Sequence, residues 1–570
     1  MAETLLSPGV IAIENDQSFI TQQPVQAGAA IVGPTVKGPV EIPTLVTSYS
    51  QYVNKFGDSL TSGSDIYSYF TSITAYNYFQ NGGTSLLVAR VVTGSYTSAT
   101  SSLMMTGSGG PTTGLSPFIL QTISEGELMN STSTETTNGA LPSGSNNNIR
   151  WEIAGSNTGS GQFSLLIRRG DDLTNNKSVL ETWTNLSLDP KAPNFISNVI
   201  GDYDYNYNIT NNQIELSGSY RNASNYVRVK QVNYLTPDYF DNNGVAKNQF
   251  TGSIPVAASG TFGSATGTVK PATNFYNTIT STNTQGLDAG NYTDMINLLS
   301  NQDDYKFNLL VTPGLYYNAH SAKLATIISN TQNRGDNIYI VDLVNYNSTV
   351  TAVTAEAGNV NSSYAAAYWP WLQTNDPATG KNVWVPASTM LPGVYAFNDA
   401  AGEPWFAPAG INRGGMSTVV RVEQKLSPSN RDTLYLGKVN PIATFPGNGV
   451  VVYGQKTLQQ KASALDRVNV RRLLIELKNY ISQIGLGLVF EQNTIATRNS
   501  FLAQVNPYLD SIQQRQGLYA YKVIMDDTNN TADVIDRNQL VGQIYIQPTK
   551  TAEFIYLTFN VTPTGATFPA

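Results

Sequence analysis

The sequence predicts a multidomain chain of the α/β plus all-β insertion class: mixed α/β core domains, one or more β-rich inserted domains, and an extended β-arm at each terminus. Three observations carry this expectation. Apolar strand-like runs such as "NIYIVDLV" follow amphipathic helical runs at the spacing of βαβ units, which implies a parallel sheet with crossover helices. Residues 96–284 lose helical periodicity and become rich in Ser, Thr, Asn and Gly. Near the C-terminus, "EFIYLTFNV" at 553–561 alternates two faces, and the proline-broken residues after it are too few to return as a partner strand.

Residues 1–25 read as an N-terminal arm, with Val10, Ile11 and Ile13 forming a short strand after a Ser-Pro-Gly turn. Residues 26–95 form the first part of a middle α/β domain: a strand and turn in "GAAIVGPTVKGPVEIPTLVTS", a helix in "DIYSYFTSITAYNYFQNGG", and a buried strand in "SLLVARVV". Residues 96–284 are the β-rich insertion, expected to face solvent, with strands such as "GQFSLLIRRG" and "NYVRVKQVNYL". The α/β pattern resumes over 285–426 with "YKFNLLVTPG" as a strand, a helix from Asn318 to Gln332, and "NIYIVDLV". Residues 427–545 form a C-terminal domain holding a helix from Ala462 to Ile484, a strand "LGLVFEQ", a helix near Arg498 to Gln514 interrupted at Pro507, and a strand "LVGQIYIQP". Residues 546–570 form the C-terminal arm, with Ile555, Leu557 and Phe559 on the face shared by Val561, and Phe554 and Tyr556 on the other. Glycine- and proline-rich junctions near 26, 95, 285 and 425 are expected pivots between rigid domains.

Composition excludes several chemistries. There is no cysteine, and His320 is the one histidine, so disulfides, thiolate sites, histidine-rich zinc sites and cysteine nucleophiles are out of reach. His320 sits near the start of an apolar helical pattern and is expected to be structural. The apolar runs are too short to cross a bilayer, and the opening residues lack a basic segment followed by an apolar run, so no signal peptide is expected. The net charge of −7 is unevenly spread: residues 421–570 hold 15 Lys and Arg against 11 Asp and Glu, and the remainder 18 against 29. This balance suits a protein surface of opposite charge better than nucleic acid.

"GAAIVGPTVKG" lacks the terminal Gly-Lys-Ser/Thr of a phosphate loop, and Pro34 removes a backbone donor, so no nucleotide or other cofactor is expected. "DYDYNYN" has calcium-loop spacing at Asp202, Asp204, Asn206 and Asn208, but Tyr207 stands where Gly is needed and Gln213 where a bidentate Glu is needed; a strand explains it better. "RGD" at 169–171 means little alone. On the helix from Ala462, Arg467, Arg471 and Lys478 line one edge of an apolar face, as a grip for an acidic partner or as a solvated flank.

Three blocks of sequence resemble contractile tail sheath proteins of bacteriophages and related injection devices. They are "LSPGV" with "AAIVGPTVKGPVEIPTLVTSYSQYVNKFG"; "SSYAAAYWPWLQTNDPATGKNVWVPAS" with "GVYAFND" and "PWFAPAG"; and the run from "NVRRLLIELKNYI" to "DRNQLVGQIYIQPTKTAEFIYLTF". In the middle block Tyr368, Trp369, Pro370, Trp371, Pro386, Ser388, Gly393, Pro408 and Gly410 stand at the family's typical positions. The resemblance implies a structural, non-enzymatic subunit of the virion, assembled in the host cytoplasm as a homo-oligomer of rings around a tail tube protein, with baseplate and tail terminator proteins as further partners. It implies no cofactor, no nucleic acid and no membrane insertion. It also implies that both arms add strands to neighbouring subunits, which makes Val10, Ile11, Ile13, Phe554, Ile555, Tyr556, Leu557, Phe559 and Val561 intersubunit residues and Arg467, Arg471 and Lys478 candidate tube or intersubunit contacts. A different class, a carbohydrate-binding or carbohydrate-active surface protein, is suggested by the β-rich insertion and the 32 tyrosines. A soluble enzyme with a cleft between α/β domains is a more remote alternative.

Overall fold

The computed structural model describes residues 25–107, 114–132, 134–271 and 279–556. The strand expected at Val10, Ile11 and Ile13, and the Leu557, Phe559 and Val561 positions of the one expected at the C-terminus, therefore lie outside the described residues.

An eight-stranded sheet organises the chain, in the order Gly449–Val452, Val439–Phe445, Ala365–Trp369, Ile338–Asp342, Leu309–Tyr316, Ala29–Gly33, Leu86–Arg90 and Thr44–Val46. The six inner strands are parallel, and the outermost strand at each side is antiparallel. Strands such as "AAIVG", "LLVAR" and "IYIVD" are buried at every position, which is why they read as unbroken apolar runs: both faces are covered. Ala30, Val32, Leu87 and Ala89 face a core closed by Tyr292, Met295, Leu324 and Ile327, while Ala29, Ile31, Leu86 and Val88 face one closed by Phe70, Ile73, Met390 and Leu391.

The expected strand "YKFNLLVTPG" divides. Tyr305–Phe307 pairs with Val25–Ala27, and Leu309–Tyr316 enters the sheet. Helix formation in "DIYSYFTSITAYNYFQ" is confined to Phe70–Gln80, because Asp65–Tyr67 closes a small hairpin with Leu60–Ser62. The helix Tyr317–Arg334 contains His320, which is 5 % exposed. Its Nδ1 accepts the Tyr316 N–H at 3.1 Å, leaving Nε2 to donate to the Thr280 carbonyl at 3.0 Å, a structural role.

Between the two chain segments that build this sheet, residues 98–263 form a second, seven-stranded antiparallel sheet with its own core, in which Phe118 and Phe163 stack at 5.4 Å. Asp204–Asn208 is a strand paired with Gln213–Ser217, and Asp204 bonds Arg228 at 2.6 Å. Arg169 and Asp171 of "RGD" pair with each other.

The junctions near 95 and 285 are fastened. Arg90, fully buried, donates to the carbonyls of Gly38 (2.6 Å) and Glu125 (2.9 Å), and the Glu125 carboxylate accepts from Val40 N–H at 2.8 Å. Tyr96 donates to the Thr268 carbonyl at 2.7 Å, and Tyr207 and Ile214 of the 204–217 hairpin pack on the core of the eight-stranded sheet. Glycine content marked where the chain turns; the buried arginine decides that the turn is held.

The C-terminal unit contains the helices Val468–Leu486 and Ile495–Gln514 and the hairpin Leu518–Ile524 with Gln543–Pro548. Five expectations need correction here. The break after the eight-stranded sheet lies beyond residue 452, not at 427, because Val439 pairs in parallel with Ala367. The first helix begins at Val468, since Ala464–Asp466 is a 3-10 turn whose preceding Ser463 side chain accepts from Leu465 N–H. "LGLVFEQ" is a helix end and turns, with Phe490 fully exposed at φ +73°, where a strand is ruled out locally. The second helix passes through Pro507 unbroken, held by buried Phe501, Val505, Leu509 and Ile512 and by Tyr508 stacked on Tyr480 at 3.7 Å. The hairpin also runs to Pro548, past the expected arm boundary at 546.

Candidate intersubunit site

The candidate residues gather where the C-terminal segment leaves the hairpin. From Thr549 onward the chain lies extended along its own surface, with 549, 551 and 553 half-buried and 550, 552 and 554 exposed. Thr549 donates to the Gln516 carbonyl at 2.7 Å, and Thr551 accepts from Gln455 Nε2 at 2.6 Å.

Glu553 ends this strip in a clamp. Arg467 grips it in a bidentate pair, Nε at 2.7 Å and Nη2 at 3.0 Å; Tyr435 donates its hydroxyl at 2.6 Å and Gln455 its Nε2 at 3.1 Å. Burial alone would raise the Glu553 carboxyl, but the hydrogen bonds from Arg467 and Tyr435 hold it below the usual carboxylate range. The Tyr435 hydroxyl is pushed up by burial and by that same carboxylate. Lys456, with its Nζ 3.9 Å from the centre of the Tyr435 ring, is lowered to about 8 by burial and by the cations of Lys438 and Arg467. Beyond the clamp, Phe554, Ile555 and Tyr556 are 70 %, 76 % and 91 % exposed and form no strand with any described residue.

Beside this strip runs an open groove of about 870 Å³, lined by Trp405, Phe406, Tyr435, Tyr453, Tyr519 and Phe554. The hairpin is a two-stranded sheet with both outer edges unpaired among the described residues, and its strand Gln543–Pro548 alternates exposed and half-buried side chains.

The basic stripe of the helix Val468–Leu486 is turned onto the chain itself. Arg467, at the helix start, is spent on Asp466 and Glu553. Arg471 is 4 % exposed, stacked over the Tyr364 ring at 4.0 Å and bonded to Ser363 Oγ, so it is withdrawn from any partner in this arrangement. Lys478 touches the Tyr364 hydroxyl at 3.3 Å and stays exposed. The amphipathic pattern located the stripe, but Ser363, Tyr364 and Glu553, which decide its direction, lie 86 to 114 residues away in sequence. Sequence reading missed Glu553, Tyr435 and Gln455; the available signal was that Glu553 is the last carboxylate of the chain, alone in an apolar run.

Residues 289–458 match the family described as the phage tail sheath protein central domain, and residues 460–562 match the phage tail sheath C-terminal domain. Over these two stretches the chain is similar to phage tail sheath proteins. It is 42 % identical over 210 residues to a tail sheath protein of Vibrio phage KVP40, covering 37 % of this chain and 31 % of that protein. It is 37 % identical over 227 residues to the tail sheath protein of Enterobacteria phage T4, covering 40 % and 34 %. The chain thus spans about a third of the length of these curated relatives. A crystal structure of a sheath tail protein from Listeria innocua shares the fold at a TM-score of 0.51 and 10 % identity, over 92 % of this chain and 96 % of that one. The clamp joins the two matched stretches: Tyr435 and Gln455 lie in 289–458, Arg467 and Glu553 in 460–562. Among the described residues no helix is long and apolar enough to cross a membrane.

Proposed function

We propose that the chain is a tail sheath subunit that polymerises as a helical lattice of rings around a tail tube and contracts to drive that tube through the host envelope for genome ejection. The observation that carries this reading is the pairing, in one unit, of a hairpin with open edges and an apolar segment that leaves the chain unpaired. An exposed strand edge and a free extended segment are the two halves of β-augmentation. The C-terminal arm, with Phe554, Ile555, Tyr556, Leu557, Phe559 and Val561, adds to a neighbour's hairpin, and the N-terminal arm, with Val10, Ile11 and Ile13, does likewise. Burying Phe554 and Ile555 at such a joint contributes about 2 kcal/mol each.

Homo-oligomeric rings, a tube within them, and baseplate and terminator proteins at the ends are the partners of this reading; the virion is its location, after assembly in the host cytoplasm. The sheet of residues 98–263 is an inserted outer domain. Lys478, exposed on the C-terminal unit, is the member of the basic stripe left to meet the tube or a neighbour. The work of contraction comes from burial gained as identical subunits repack, with no catalytic residue in any role.

Removing residues 554–570 tests the reading. The shortened protein is expected to keep the thermal unfolding of the full chain and to form no tubes or stacked rings in electron micrographs. Normal polymerisation of the shortened protein would overturn the arm's role.

A further inference from the structure

We propose that Glu553 is the positioning residue of the C-terminal connection: its clamp fixes where and in which direction the arm leaves the subunit. This inference rests on the reading that residues beyond 553 pair with a neighbour.

The geometry carries it in three steps. First, the strip from Thr549 to Glu553 is pinned at every second residue: Thr549 to Gln516, Thr551 to Gln455, Glu553 to Arg467, Tyr435 and Gln455. Second, the pinning stops abruptly. Ile555, next on that same face, is 76 % exposed and Tyr556 is 91 % exposed, so Glu553 is the last fixed point among the described residues. Third, the clamp is built from both sides of a domain boundary, with Tyr435 and Gln455 on the central domain and Arg467 on the C-terminal one. A bidentate guanidinium–carboxylate pair fixes orientation as well as position. An arm with a fixed origin has fewer directions to lose on pairing and a higher effective concentration at its target than one that swings from Pro548.

The chain has no cysteine, so two introduced thiols can be labelled without background. Leu436, 77 % exposed, and Tyr556 are replaced by Cys, spin-labelled, and the distance distribution is measured on dispersed subunits by double electron–electron resonance. A narrow distribution is expected in that background, at least twofold broader once Glu553→Ala is added. In unlabelled protein, Glu553→Ala is expected to raise the concentration needed for tube assembly about tenfold, the equivalent of losing one well-formed charge-assisted contact, while the unfolding temperature stays near that of the parent. Glu553→Gln keeps the side chain's size and one of its two acceptor oxygens but loses the charge, and is expected to fall between the two; it also serves if the alanine variant folds poorly. An unchanged distance distribution with unchanged assembly in both variants overturns the proposal. If the variants assemble normally while removal of 554–570 does not, the clamp alone fails; if the shortened protein assembles, the arm reading beneath it fails.

Discussion

The eight-stranded sheet and the hairpin of Leu518–Ile524 with Gln543–Pro548 are both built from apolar strands, yet they treat their edges in opposite ways. The large sheet ends each side with an antiparallel strand, and its inner strands are buried on both faces. The hairpin leaves both edges open among the described residues, and half its side chains face outward. One sheet is covered on both faces; the other leaves its edges open among the described residues. Stability should therefore concentrate in the first and assembly in the second, so substitutions in the two regions should separate these properties.

The largest effect is expected at Trp371, which is 2 % exposed, packs edge-on against Phe70 and Tyr316, and donates its indole N–H to the Val344 carbonyl at 3.2 Å. Trp371→Ala is expected to cost about 3–5 kcal/mol in chemical denaturation, through the cavity and the stranded carbonyl. Assembly is then lost because the subunit is lost.

Next comes Asp342, buried at the end of a central strand, where the Ser388 N–H (3.1 Å) and hydroxyl bond its carboxyl group. Burial raises its pKa from 3.8 to about 7, and the bonds from Ser388 offset this only in part. Between those two values the folded chain holds a proton that the unfolded chain has released. The stability this group contributes is therefore complete below pH 3.8 and is lost as pH rises through about 7. The loss is on the order of 2–4 kcal/mol. Asp342→Asn, which mimics the protonated form, is expected to remove this part of the pH dependence; parallel slopes for the variant and the parent would refute the assignment.

The smallest effect on folding belongs to the hairpin. Tyr545 is 55 % exposed and lies opposite Lys522. Tyr545→Lys is expected to shift the monomer's stability by no more than about 0.5 kcal/mol. Tube formation should nevertheless weaken, because a lysine on an open strand edge opposes the addition of another strand. Equal changes in both measurements would dissolve the contrast between the two regions.

Short-range patterns made much of the scaffold legible. Buried parallel strands announce themselves as unbroken apolar runs, and the 3.6-residue period located the helix at 317–334 closely and the body of the helix at 468–486, though not its start. The same logic failed at "LGLVFEQ", where an apolar run met no partner strand and became turns. It failed again at Pro507, where tertiary packing held a helix that the local rule would break. The candidate site was legible only in part. Period-two alternation flagged the terminal apolar segment, and helical spacing flagged Arg467 and Arg471, yet neither says what a side chain meets.

The sequence by itself determined most of the buried strands and amphipathic helices, that cysteine chemistry is excluded, and that 553–561 carries a two-faced apolar alternation, because these depend on residue type and local period. Only the tertiary structure decided that Arg471 turns inward onto Tyr364 and that Glu553 is gripped by Arg467, Tyr435 and Gln455. Those contacts join residues about a hundred positions apart, and nothing in local periodicity encodes a meeting that the folding of the whole chain creates.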